Sequence, residues 1–326
     1  MHGWVCDNPV GAQALTWKPL SLGAPGEGQV LVRIRAASLN FPDLLTVENK
    51  YQIKPPLPFV PGAEYAGEIQ AIGSGVKHLS VGQSVAVIGA SGGFGTHALA
   101  SAVHCLPVPS GMPPEHACAF AFTYGTNHHA LMDRGQLQAG EWVLVLGAAG
   151  GIGTSAIQIA KAAGAKVIAA ASTREKADFC RTVGADDVID LGSEDVRARL
   201  KDITGGRGPD VVLDPVGGAV AEPVFRSIAW RGRYLVIGFA AGGIPALPWN
   251  LALLKGASVV GVFWGDFVRR EPKSFALGLQ QLAHWYERGL ICPVIDRELS
   301  MTELPQAYRL MASRAVQGKI VMVNRT

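Results

Sequence analysis

The chain has 326 residues, 48% of them hydrophobic and 17% charged, with a formal net charge of +3. That length suits two domains, and so low a charge density suits a large buried interior. The small net charge and the lack of any Lys/Arg run argue against a nucleic-acid surface, and no apolar run reaches the ~20 residues needed to span a bilayer.

The start, Met1-His-Gly-Trp-Val-Cys6, has neither the basic nor the apolar region of a secretory signal. Five cysteines (Cys6, Cys105, Cys118, Cys180, Cys292) are scattered and never spaced C-x-x-C. A disulfide framework or a zinc lobe is not expected, and a reducing cytoplasm fits. Each reads as a small buried or partly buried hydrophobe.

Residues 1 to about 120 read as β-rich. Gln29-Val-Leu-Val-Arg-Ile-Arg-Ala36 alternates with period two, and Tyr65 to Ile72 and Ser84 to Ile88 are further strands. Gly62, Gly73, Gly75, Gly82 and Gly89 punctuate them, and Pro55, Pro56, Pro58 and Pro61 lie between. Many short strands with glycine turns predict a small, partly open barrel. Pro113 to Met132 reads as helical and leads into the next domain.

From Gly140 the pattern changes to strand–helix units. Val143-Leu-Val-Leu146 is an unbroken apolar run, as in a parallel strand buried on both faces. Gly147-Ala-Ala-Gly150-Gly151-Ile-Gly153 then turns the chain into a helix that stops at Gly164, and Lys166 to Ala171 is the next strand. Such a βαβ unit aims its helix N-terminus at an anion, typically a dinucleotide pyrophosphate. One departure is that Ala148 stands where the first glycine of G-x-G-x-x-G belongs. NAD sites place an Asp or Glu at the end of the second strand to hold the ribose 2′-OH. Here the run is Ala170-Ala-Ser172-Thr-Arg174-Glu-Lys176, with two cations and no acid at the strand end, which favours NADPH. Ser172 and Glu175 also read as a capping box.

Further strands are expected at 187–190, 210–214, 233–238 and 257–262, with helices between, for example Val220 to Ala229. The alternation predicts an α/β, Rossmann-type doubly wound parallel sheet. After about residue 265 it stops. Pro272 to Arg288 reads as an amphipathic helix, Ser300-Met-Thr-Glu303 as a capping box before a helix to Ala312, and Gly318 to Val323 as a last strand. The tail is expected to rejoin the first domain. That divides the chain into 1–122, an inserted nucleotide domain 123–264, and a return segment 265–326, with the cleft between lobes as the default active site.

Ser38-Leu-Asn40-Phe-Pro-Asp43, Pro61-Gly-Ala-Glu64-Tyr-Ala-Gly67, Gly73-Ser-Gly-Val76, Gly147 to Gly153, Lys176, and Arg314-Ala-Val-Gln-Gly318 together make a specific set. In order and spacing the chain resembles, over almost its whole length, the zinc-free, zeta-crystallin-like quinone oxidoreductases of the medium-chain dehydrogenase/reductase superfamily. The resemblance implies a GroES-like partly open barrel beside the Rossmann domain, NADPH as cofactor, and a homodimer or homotetramer. Zinc-dependent relatives carry a Cys just ahead of the first Asp and a His in a G-H-E segment. Asn40 and Ala63 hold those places here, so two of the roughly four ligands zinc needs are gone. The His128-His129 pair points apart on a helix and is not expected to share a metal.

The family pattern places Asn40 near the nicotinamide end of the site, although Asn also forms turns. It matches Thr126 to a threonine at the nicotinamide, Lys176 to the 2′-phosphate lysine, and Arg314 to an arginine reaching the cofactor phosphates. Gly150, Gly151 and Ile152 belong to the pyrophosphate turn, and Ser172 and Arg174 to the 2′-phosphate side. Gly238-Phe239-Ala240 and Val262-Phe263-Trp264 follow successive strands and are expected to border the nicotinamide, with core packing equally open for Phe263 and Trp264. Two tyrosines of some relatives are Leu45 and Leu191 here, and Arg174 is extra.

The expected reaction is hydride transfer from NADPH to a quinone or related conjugated carbonyl. Asn40 is placed to donate to the developing oxyanion. Tyr51 is the nearest phenol for protonation, or else a loop aromatic packed under Pro55 and Pro56. The alternatives are reduction of an enone or acryloyl-type thioester, with Arg269, Arg270 and Lys273 as a basic entrance, and a non-enzymatic NADPH-binding protein. Ser258 to Val262, at a sheet edge, is a candidate dimer strand.

Overall fold

A computed structural model describes residues 1–325. Two compact units emerge. One comprises Met1–Phe122 together with the chain from Ile295 onward, and the other is Thr123–Val294.

The first unit is built on a seven-stranded sheet. Its centre is Gln29–Ser38, whose period-two alternation buries Val30, Val32, Ile34 and Ala36. That strand pairs antiparallel with Glu64–Ile72, with His97–Ser101 and with the C-terminal strand Lys319–Val323. Ile295–Ser300 then joins Lys319–Val323 in parallel. The sheet wraps a core that includes Phe94, Tyr65, Ile69, Met301 and Tyr308.

The second unit carries a six-stranded, all-parallel sheet in the order Asp187–Asp190, Lys166–Ala171, Trp142–Leu146, Val211–Asp214, Arg233–Val236, Ser258–Gly261. The strand order reverses beside Trp142–Leu146, which is where such sheets bind ligands. Val143 to Leu146 are fully buried, as a strand covered on both faces requires.

Several expectations need correction. The return to the first unit starts at Ile295, not near 265. Trp264 and Phe275, which meet edge to face at 5.9 Å, and Phe267, stacked on His129 at 3.8 Å, tie the helices Trp264–Arg270 and Pro272–Glu287 to the second unit. The helical stretch 113–132 is broken into Pro114–Ala117, Ala121–His128 and a π-helical turn His129–Arg134. The Arg174–Val183 helix is capped by Thr173, whose hydroxyl accepts from the Lys176 N–H, rather than by Ser172 and Glu175. Four cysteines are buried, but Cys292 is exposed, because it lies between strand and helix beside Pro293. The capping box of Ser300 and Glu303 is present.

Candidate active site

The glycine turn is shaped by two different demands. At Gly153 a Cβ would fall 2.3 Å from the Ala148 carbonyl oxygen and 2.4 Å from its Cα, so only glycine lets the helix meet the strand this closely. At Gly150 the nearest heavy atom to a Cβ would be 3.6 Å away, so the fold itself has room for a side chain there. Gly150 is the N-cap of the Gly151–Ala162 helix and has no side chain to cap it. The first-turn N–H groups of Gly151, Ile152 and Gly153 therefore face outward at the positive end of the helix. Asn127 steadies that end from the neighbouring helix, donating to the Ile152 carbonyl and to Ser155 Oγ, both at 2.7 Å.

The loops that follow the other parallel strands lie along the same edge of this sheet. Lys166–Ala171 ends without an acid. Ser172 and Arg174 are exposed, Lys176 is half-buried, and Arg174 pairs with Asp178 one turn on, at 3.1 Å. Asp214, buried at the end of its strand, accepts from the Val216 and Gly217 N–H groups and from the Tyr234 hydroxyl at 2.6 Å. That bond set fixes the 215–218 turn, which is in turn knit to 238–243 through Ala240 to Pro215 and Gly218 to Gly243. Phe239 is partly exposed and packs over Gly217. Val262 is buried and Phe263 is 61% exposed. Trp264 is buried against Gly125, where an added Cβ would meet the indole at 3.0 Å, so it serves as packing as well as site border. Thr126 is buried in the same helix as Gly125. An uncapped helix end, an open glycine cradle and cations in place of the ribose-binding acid fit a dinucleotide carrying a 2′-phosphate.

Asn40, Tyr51 and Arg314 belong to the first unit. Arg314 is exposed in a left-handed conformation, φ 56°, just past the Leu304–Ala312 helix. Tyr51 is half-buried, and burial first, then the negative charge of Asp43, raises its pKa, which keeps the phenol protonated.

Asn40 sits in a buried polar network that the sequence did not announce. It is 5% exposed, and its Oδ1 accepts from Lys319 Nζ at 2.5 Å. Its Nδ2 donates to Glu64 Oε2 at 3.1 Å and faces Ser38 Oγ at 3.4 Å. Glu64, wholly buried, also accepts from the Ser38 hydroxyl at 2.7 Å and the Phe122 N–H at 2.8 Å, with Lys319 Nζ at 3.6 Å. Sheet register assembles the group, since Ser38 stands opposite both Glu64 and Val321. A carboxylate and an ammonium this deep persist only because each is met by the other and by aligned dipoles. The amide is thus held rigidly, and only the N–H on the Ser38 side is loosely engaged.

Asp43 closes the neighbouring turn, accepting from the Asn40 and Ala63 N–H groups at 2.8 and 3.0 Å. Burial outweighs those bonds and lifts its carboxyl to about 6. A folded-state pKa above the unfolded one means the folded chain holds a proton that the unfolded chain releases. This contribution to stability is complete below the unfolded pKa, near ~4, and is lost as pH rises through the folded value. Asp43→Asn should therefore flatten the change in urea midpoint between acidic and neutral pH. An unaltered slope would exclude Asp43 as its source.

Among the described residues no three His, Cys, Asp or Glu side chains are grouped to hold a metal ion. His128 turns to Gln281 at 2.7 Å and His129 to Asp133 at 2.8 Å. No helix among these residues is long and apolar enough to cross a membrane.

Comparison with known proteins agrees with this construction. Residues 26–110 match the family described as alcohol dehydrogenase GroES-like domain, and residues 151–282 the family described as zinc-binding dehydrogenase. The chain is 35% identical over 300 residues to a quinone oxidoreductase-like protein 2 homolog of Nematostella vectensis, covering 91% of this chain and 82% of that one. It is 32% identical over 316 residues to a phenolphthiocerol/phthiocerol polyketide synthase of Mycobacterium tuberculosis, covering 97% of this chain and 14% of that one. The crystal structure of Escherichia coli quinone oxidoreductase complexed with NADPH superposes with a TM-score of 0.90 at 27% identity, covering 99% of this chain and 100% of that one. The chain is an oxidoreductase of the medium-chain dehydrogenase/reductase superfamily and belongs to its quinone oxidoreductase-like branch.

Proposed function

We propose that this protein is a zinc-independent NADPH:quinone oxidoreductase. The observation that carries the reading is the uncapped helix at Gly151, behind an open cradle at Gly150, with Arg174 and Lys176 in place of a ribose-binding acid. NADPH, when bound, supplies the hydride, and a quinone accepts it without a strong acid because its oxyanion is delocalised. Gly150, Gly151 and Ile152 take the pyrophosphate. Ser172, Arg174, Lys176 and Arg314 take the remaining phosphate charge, and Thr126, 238–240 and 262–264 border the nicotinamide. Asn40 donates its Ser38-side N–H to the acceptor oxygen, oriented by Lys319. The lost Cys and His at Asn40 and Ala63 support a reaction without zinc.

NADPH absorbance followed with 9,10-phenanthrenequinone, crotonyl-CoA and a simple enone in parallel tests this. Consumption with the quinone is expected. Consumption with none of the three would point to a non-enzymatic binder. Asn40→Ala should lower kcat with quinone well before it weakens NADPH binding, and equal losses would refute that division. Reduction of enones or acryloyl-type thioesters is the second reading, favoured by the protonated phenol of Tyr51, which can protonate the α carbon. Arg269 and Arg270, the candidate CoA entrance, both pair with Asp266.

The working form we propose is a cytoplasmic homodimer. Among the described residues Ser258–Gly261 ends the parallel sheet with one side unpaired, and Trp249 and Leu253, on the helix leading into it, are each 80% exposed. A second copy pairing edge to edge would cover both. Trp249→Asp with Leu253→Asp should halve the mass seen by light scattering. A monomeric parent chain would remove the proposal.

A further inference from the structure

Beside the helix Val196–Ile203 and the turns that lead into Val211–Asp214, Arg233–Val236 and Ser258–Gly261 lies a depression of ≈ 360 Å³. Asp195, Arg197, Lys201, Arg207, Arg226 and Lys255 line it. Part of this positive charge has an ordinary explanation. Arg226 pairs with Glu222 at 2.6 Å and Arg207 with Asp210 at 3.0 Å. Lys201, Lys255 and Arg226 stand in the last turns of their helices, where cations offset the dipole, and Lys255 donates to the Ile228 carbonyl at 2.9 Å.

Arg197 has no such explanation. It lies in the first turn of the Val196–Ile203 helix, at the positive end, where a cation is disfavoured and the one nearby acid is the N-cap Asp195. It precedes Lys201 by four residues, so two like charges share one helix face. Neither forms an ion pair among the described residues. Across the depression Arg197 acts on Lys255, whose pKa is lowered by burial first and by the Arg197 charge second. The one acid on the wall, Asp195, has an oxygen engaged with the Ala198 N–H at 2.8 Å. Three unfavourable placements of positive charge thus meet in one concavity. Local rules broken together in this way mark a functional or strained site.

We propose that this depression is a second anion site, taking a small phosphate-bearing ligand between Arg197, Lys201 and Lys255. It is separate from the glycine turn, since none of its lining residues belongs to Gly147–Gly153. Free phosphoanhydride and an organic phosphate ester share the chemistry required. Arg197 supplies a planar fork of donors and the lysines supply point charges.

The test is calorimetric titration of inorganic pyrophosphate into protein saturated with NADPH, so that the glycine turn is already filled. One saturable site is expected, and Arg197→Glu with Lys201→Glu should weaken it by at least about tenfold while leaving the NADPH affinity unchanged. No saturable heat, or the same affinity in the double variant, would overturn the site. The milder pair Arg197→Gln and Lys201→Gln should melt no lower than the parent chain without anion, because it removes repulsion. A clear fall in Tm would show that these cations are already satisfied and would overturn the site. Glycerol 3-phosphate in place of pyrophosphate then separates the ester from the anhydride.

Discussion

Lys319→Met is expected to lower the stability of the protein by about 3–5 kcal/mol, because it strands Glu64 as a buried charge without its counter-ion. That is a large share of the ~5–15 kcal/mol that holds a domain folded. Glu64 would keep its bonds from Ser38, Asn40 and the Phe122 N–H, yet lose the ammonium that faces it. Asn40 would lose the same ammonium from its Oδ1. The double variant Lys319→Met, Glu64→Gln should recover much of the loss, since removing both charges ends the mismatch. Urea denaturation of the two single variants and the double variant measures the coupling. Strictly additive losses would mean that the two residues do not act as a pair. A second readout concerns function. If Lys319 positions Asn40, the variant that remains folded should lose kcat with quinone while its KM for NADPH stays near the parent value.

The second large effect contrasts two glycines three residues apart. Gly153→Ala puts a methyl into the Ala148 backbone at 2.3–2.4 Å, and neither strand nor helix can yield without moving the turn. A cost of about 1–3 kcal/mol or more is expected, as for other overpacked sites, together with loss of NADPH affinity. Gly150→Ala has room, with 3.6 Å to the nearest atom and a φ of −83° that any residue accepts. Its stability should change by no more than about 0.5 kcal/mol, as at an unconstrained surface position. Its NADPH affinity should nevertheless fall at least about tenfold, because the methyl occupies the approach of the pyrophosphate. Thermal unfolding and NADPH fluorescence titration on both variants separate the roles. A Gly150→Ala variant that binds NADPH as well as the parent chain would detach the pyrophosphate from this turn.

The elements that were legible from residues are those whose signal is local. The apolar run at 143–146, the glycine turn, the alternation of 29–36 and the capping box at 300–303 all recur where the residues placed them. Each depends on neighbours within one turn or one strand, so the order of residues is enough. The parallel sheet followed because strand and helix alternate and the crossover has one hand. The cap at Thr173 shows the limit even of local reading, since Ser172 and Thr173 offer the same hydroxyl and backbone conformation chooses between them.

The polar network around Asn40 was not legible. Lys319 reads as the polar start of an apolar strand, and Glu64 as one residue of a glycine-rich segment. Asn40 and Lys319 are 279 positions apart, and they meet because Lys319–Val323 pairs with Gln29–Ser38, the strand that leads into Asn40. The return point at Ile295 was hidden for the same reason. An amphipathic helix declares that it has a buried face, and Pro272–Glu287 did so, but not whose core that face will join. Local pattern settles which segments become strands, turns and helices, because their hydrogen bonds and side-chain faces repeat over a few residues. Which distant charges share one cavity, and therefore which of them ionise, pair or orient a functional amide, is settled only when packing brings them within about 4 Å of each other and away from water.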